Sequence, residues 1–88
     1  MSHAGDAPVV TLYGRPGCHL CEEARGELLG LQRGGARFEL REVNIESEEG
    51  LHRSMLELIP VVEVEGERVS ELLFEPDVLL RRIDTLSR

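Results

Sequence analysis

Tyr13-Gly14-Arg15-Pro16-Gly17-Cys18-His19-Leu20-Cys21 holds both cysteines of the chain and stands at a change of pattern. Before it, residues 9–13 alternate and are rich in β-formers, which predicts a strand. Gly14-Arg15-Pro16-Gly17 breaks that strand. After it, Leu20, Cys21, Ala24, Leu28 and Leu31 recur at helical spacing and predict a helix that turns these positions inward. The Gly34-Gly35 pair supplies a left-handed C-cap to end it. Strand, loop and helix place Cys18 at the first helical turn, with Cys21 facing the interior.

Side chains three apart on a helix share a face, with about 5–6 Å between Cβ atoms, so two cysteines at this spacing can close and open a disulfide without refolding the chain. As a structural staple the pair is poorly placed: closing so short a loop contributes only about 2 kcal/mol, against roughly 4.7 for a 100-residue loop. The spacing therefore points to redox chemistry.

Working outward, residues 37–45 read as a second strand whose apolar phase slips between Phe38/Leu40 and Val43/Ile45, which predicts a bulge or bend. Ser47 is expected to cap a short helix carrying Leu51, Met55 and Leu58 on one face. Ile59-Pro60 stops that helix, and residues 61–64 resume extended structure. Glu65-Gly66-Glu67 turns the chain, and residues 68–72 return as the hairpin partner. Pro76 opens a last helix with Leu79, Leu80, Ile83 and Leu86 in one apolar stripe. The order is β-α-β-α-β-β-α. A parallel β-α-β unit followed by an antiparallel hairpin requires a mixed sheet, with helices on both faces. The class is α/β: one domain over residues 9–88, preceded by a flexible tail, 1–8.

Eighty-eight residues make a single core that does not need extra staples. No run is long enough to span a bilayer, and the opening residues lack the pattern of a secretory signal. The expected compartment is cytoplasmic, where a Cys-x-x-Cys is catalytic or metal-binding more often than structural. A net charge of −7 argues against general affinity for nucleic acid or anionic membrane. All ten basic residues are arginine, a bias that follows from genomic base composition or from a preference for Arg ion pairs at high temperature.

At the start of a helix, unpaired N–H groups and the positive end of the dipole stabilise a thiolate, which lowers the pKa of Cys18 below that of free cysteine. Arg15 adds positive charge upstream. Glu22 and Glu23 oppose it only if their side chains turn toward the sulfur. In exchange chemistry Cys18 attacks a substrate disulfide, and the shielded Cys21 resolves the mixed disulfide. His19 between them either tunes proton transfer or points to solvent. Structural zinc is disfavoured: it wants four well-placed ligands, and His3 and His52 are the only other histidines. No metal is expected, although an iron–sulfur cluster shared across a dimer remains an alternative. A cis bond at Pro60 has a base rate of only about 5–6%, but beside this motif and element order it would leave the Ile59 backbone free to pair with an extended substrate.

The segment from Tyr13 to Cys21 resembles the active-site segment of glutaredoxins, and Ile59-Pro60-Val61-Val62 resembles their cis-proline strand. The resemblance covers nearly the whole chain. It implies the thioredoxin-like fold: a central four-stranded mixed sheet, in the order second, first, third, fourth strand, flanked by three helices. It further implies that Cys18 attacks, Cys21 resolves, Arg15 lies near the glutathione carboxylate, and Ile59 makes the backbone contact before a cis Pro60. The chain also departs from the family pattern. His19-Leu20 replaces Pro-Tyr, and Leu58 replaces the Thr two residues before the proline. Val69-Ser70-Glu71-Leu72-Leu73 lacks the Gly-Gly turn and acidic pair that hold the glutamyl end of glutathione, and Asp77 is a loose substitute. The chain resembles the compact glutaredoxin-like proteins with a Cys-x-Leu-Cys motif.

The expected function is thiol-disulfide exchange by a monomeric oxidoreductase without a bound cofactor. Its partners would be a disulfide-containing protein or a glutathione mixed disulfide, with glutathione or a reductase as electron donor. The competing readings are a non-enzymatic redox-sensor module that binds through the Ile59-Pro60 edge, and iron–sulfur handling as a dimer.

Overall fold

The computed structural model describes residues 7–86. Four strands, β1 (Val9–Gly14), β2 (Glu39–Asn44), β3 (Val61–Val64) and β4 (Glu67–Glu71), form one sheet with three helices, α1 (His19–Arg33), α2 (Glu49–Met55) and α3 (Pro76–Leu86). The strands lie in the order β2-β1-β3-β4. β1 runs parallel to β2, and the other two pairings are antiparallel. The mixed sheet and the element order are those expected from the sequence. Of the expected tail, residues 1–6 lie outside the described residues, while Pro8 is buried and its carbonyl accepts the Glu39 amide at 2.9 Å.

The sheet separates two apolar clusters because alternate side chains leave a strand on opposite faces. Val10, Leu12, Val62 and Val64 pack with Ala24 and Leu28 of α1 and Leu79 and Ile83 of α3. Tyr13 and Val61 pack on the other face, with Met55 of α2, Ile45 and Ile59. Cys21 belongs to this second cluster, at the end of the sheet where α1 begins.

Several local expectations need correction. The Gly34-Gly35 pair ends α1 as a Schellman motif: Ala36 N–H reaches Leu31 O at 2.9 Å and Gly35 N–H reaches Gln32 O at 3.1 Å. Only Gly35 is left-handed, at φ +109°, while Gly34 is at φ −81°. β2 holds an unbroken register from Val9↔Glu39 to Gly14↔Asn44, so it has no bulge. Its phase slip arises because Phe38 and Leu40 face the α1/α3 cluster, whereas Ile45 belongs to the α2 cluster. The bulge lies in β4, where Val62↔Ser70 is followed by Glu63↔Arg68 and Val69 is left over.

Ser47 does not cap α2. It closes a 3₁₀ turn, Ile45–Ser47, whose cap is the Asn44 side chain accepting from Glu46 N–H at 2.9 Å. The hairpin turn is shorter than expected. Glu65 (φ +51°) and Gly66 (φ +84°) form a two-residue loop with both φ positive, the turn whose twist matches a β-hairpin, and Glu67 is already in β4. On α3, Leu79 and Ile83 are buried, but Leu80 and Leu86 stay exposed.

Candidate active site

The loop after β1 is shaped by Gly17, whose φ of +80° favours glycine. The turn is closed by Cys18 N–H donating to Arg15 O at 3.3 Å. Cys18 is therefore the N-cap of α1 rather than a residue of its first turn: its backbone is extended, at φ −90° and ψ 108°, and its Sγ accepts the Cys21 N–H at 3.2 Å. A sulfur in the cap position satisfies one of the helix's orphan donors. The two Cα atoms stand 5.2 Å apart and the sulfurs form a disulfide.

The sulfurs differ in surroundings. Cys18 is half-buried at the edge of the α2-side cluster, and Cys21 is 6% exposed within it. Behind Cys21 lies Gly14, where an added Cβ would stand 3.0 Å from Cys21 Cβ and 3.1 Å from Sγ. This close approach is a tertiary demand that a breaker residue in a sequence does not reveal.

The other predicted site residues surround this pair unevenly. Arg15 is exposed and its guanidinium lies 3.8 Å from Glu46. His19 is 85% exposed and bonds Glu23 at 2.8 Å, one turn along α1, so its imidazole lies on the solvent side. The Ile59–Pro60 bond is cis and both residues are buried. The Ile59 N–H donates to Met55 O at 3.1 Å, so this group is engaged within the chain, which corrects the expectation that the Ile59 backbone is free to pair. Leu20 also departs from expectation. It is 45% exposed, because the buried stripe of α1 runs through Cys21, Ala24 and Leu28 and leaves Leu20 at its edge.

Tyr13, at the end of β1, donates its hydroxyl to Glu63 at 3.2 Å. Burial raises its pKa above the ordinary 10.0, and the Glu63 charge and hydrogen bond raise it further, against a lowering contribution from Arg68. Among the described residues no group of three or more His, Cys, Asp or Glu is placed to hold a metal ion.

β1 leads through a short loop to a half-buried cysteine at a helix N-terminus, a second cysteine is buried and a proline is cis. The chain matches a family model, the glutaredoxin-like domain (DUF836), over residues 9–84. The chain belongs to that family. A protein of Nitrosomonas europaea solved by NMR in solution is 32% identical, covers 94% of this chain and 99% of its own, and superposes with a TM-score of 0.76. An X-ray structure from X. campestris is 29% identical over 86% of this chain and 96% of its own, with a TM-score of 0.64. A thioredoxin from Halobacterium salinarum shares the fold, with a TM-score of 0.67 at 15% identity over 97% of this chain and 80% of its own. No curated protein matches the chain.

Within the glutaredoxin-like frame, the segment after β4 contains a feature that the sequence did not announce. Leu72 takes φ +64°, and its N–H is shared between Leu58 O and Pro60 O, at 2.9 Å each. The end of β4 is thereby fastened beside the cis proline. Asp77 is exposed in the first turn of α3.

Proposed function

We propose that the chain is a thiol-disulfide oxidoreductase that works by dithiol exchange. The supporting observation is the asymmetry of one closed pair: Cys18 is the half-buried N-cap sulfur with an N–H aimed at it, and Cys21 is shielded below. In the reduced protein that N–H and the helix dipole favour thiolate over thiol at Cys18. The thiolate attacks one sulfur of a substrate disulfide, the substrate S–S bond breaks, and the other substrate sulfur leaves as a thiolate. Cys21, as thiolate, then attacks Cys18 Sγ. The Cys18–Cys21 disulfide forms and the second substrate sulfur is released, so that two electrons have passed from protein to substrate.

Arg15 supplies positive charge on the approach side, and Ile59 shares one apolar cluster with both cysteines. The protein needs no organic cofactor, acts as a cytoplasmic monomer on disulfide-bearing proteins or glutathione mixed disulfides, and is returned to the dithiol by glutathione or a reductase.

The test is NADPH-coupled turnover with glutathione and its reductase, or with thioredoxin reductase, using insulin or hydroxyethyl disulfide as acceptor. Turnover that disappears in Cys18→Ser is expected. Failure of the reduced protein to react with either acceptor overturns the reading.

A further inference from the structure

Leu72 is a leucine where the backbone favours glycine. Its φ is +64°, and Leu73 N–H donates to Glu71 O at 2.6 Å, closing around it the γ-turn of the rare, strained hand. A side chain there costs backbone energy that glycine would not, and burial does not offset it: Leu72 is 48% exposed and Leu73 64%. Strain held at an exposed apolar residue points to use rather than stability. Leu20, Leu72 and Leu73 line one groove of about 180 Å³, closed by Ala24 and Phe74 and rimmed by Glu23 and Glu27, with no basic residue in its walls. It runs from inside the Cys-x-x-Cys to the residue hydrogen-bonded to Pro60.

We infer that this groove selects the substrate: a disulfide-bearing polypeptide with an aliphatic side chain next to its half-cystine and a Lys or Arg just beyond, in preference to glutathione disulfide. The inference rests on the exchange chemistry proposed above and adds its substrate class. An aliphatic side chain seated between Leu20, Leu72 and Leu73 removes their exposed surface from water. A cation beyond it lies opposite Glu27, and opposite Glu23, whose carboxylate also holds the exposed His19 imidazole. Glutathione brings carboxylates to the same rim and no aliphatic side chain to the groove. The half-cystine sulfur bonds to Cys18 as its own S–S bond breaks and its former partner sulfur leaves as a thiolate; Cys21 then attacks Cys18 Sγ, the Cys18–Cys21 disulfide forms, and the half-cystine sulfur leaves as a thiolate. The electrons come from the dithiol, which a low-molecular-weight thiol or a reductase restores.

The reduced full chain is mixed in turn with the symmetrical disulfides of Ala-Cys-Leu-Lys and Ala-Cys-Leu-Glu, with glutathione disulfide, and with hydroxyethyl disulfide, which has neither charge nor side chain. The rate of protein thiol loss is read. The lysine peptide should react about tenfold faster than the glutamate peptide or glutathione disulfide. Leu72→Gly should lower the ratio of the lysine-peptide rate to the hydroxyethyl disulfide rate about tenfold, with an unfolding midpoint no lower than wild type. Glu27→Gln should reduce the lysine-over-glutamate preference about threefold. Equal rates for both peptides and glutathione disulfide, with hydroxyethyl disulfide still reacting, overturn the groove alone. Inertness toward hydroxyethyl disulfide as well overturns the exchange chemistry and the groove with it. A fallen midpoint in Leu72→Gly with an unchanged rate ratio makes Leu72 structural and overturns its role.

Discussion

Gly14 backs onto Cys21 so closely that an added Cβ would meet Cys21 Cβ at 3.0 Å and Sγ at 3.1 Å. Cys21 has no room to give way, since it is buried and bonded to Cys18. Gly14→Ala should therefore destabilise the oxidised protein by about 1–3 kcal/mol, the usual range for overpacking. Urea denaturation measures it, and an unchanged midpoint would show that the end of β1 is looser than the geometry requires.

Tyr13 gives stability a dependence on alkaline pH. Burial first, then the Glu63 charge and hydrogen bond, raise its folded pKa above 10.0. As pH passes about 10 the unfolded chain releases the phenolic proton while the folded chain keeps it, so the native state binds more protons. Its stabilising contribution is complete below the unfolded value and is lost as pH rises through the folded one. Tyr13→Phe removes this dependence. Wild-type stability should accordingly fall relative to Tyr13→Phe as pH rises above about 10. A constant difference across that range refutes the assignment.

Arg15 faces a competing carboxylate. Its guanidinium is 3.8 Å from Glu46, both side chains being partly exposed, so the pair is worth little to stability. If Arg15 receives a substrate carboxylate, Glu46→Gln should raise the rate with glutathione disulfide about twofold and leave the unfolding midpoint unchanged. Arg15→Ala should lower that rate. Opposite signs would place Arg15 outside the approach path.

The fold was legible where local chemistry and tertiary demand agree. Gly35 at a left-handed position, Glu65-Gly66 in a hairpin and Pro76 at a helix start each act through their own φ, which a sequence displays. The cysteine pair was legible for a similar reason, since a three-residue spacing at a helix start brings the two Cα atoms to 5.2 Å. Elsewhere a partner distant in sequence decides the outcome. The phase slip in β2 reflects which helix covers which face, and a bulge in the strand is the wrong inference from it. Ser47 is a capable cap, but the chain's path after β2 makes it the end of the 3₁₀ turn that Asn44 caps, and α2 starts from Glu48 without a side-chain cap bond. Leu72 carries no signal for its positive φ, because leucine avoids that region and the bonds that hold it there, to Leu58 O and Pro60 O, come from residues distant in sequence. Ile59 shows the same effect in the site, its amide claimed by Met55 O.

The proposed division of labour between Cys18 and Cys21 is open to single-cysteine trapping. Reduced Cys21→Ser and Cys18→Ser are each mixed with a disulfide substrate, quenched by alkylation and mapped by peptide mass. Attack by the N-cap sulfur predicts that Cys21→Ser accumulates a mixed disulfide on Cys18, because no second thiol resolves it, while Cys18→Ser accumulates little. A mixed disulfide that forms on Cys21 in Cys18→Ser at an equal or greater rate contradicts the account.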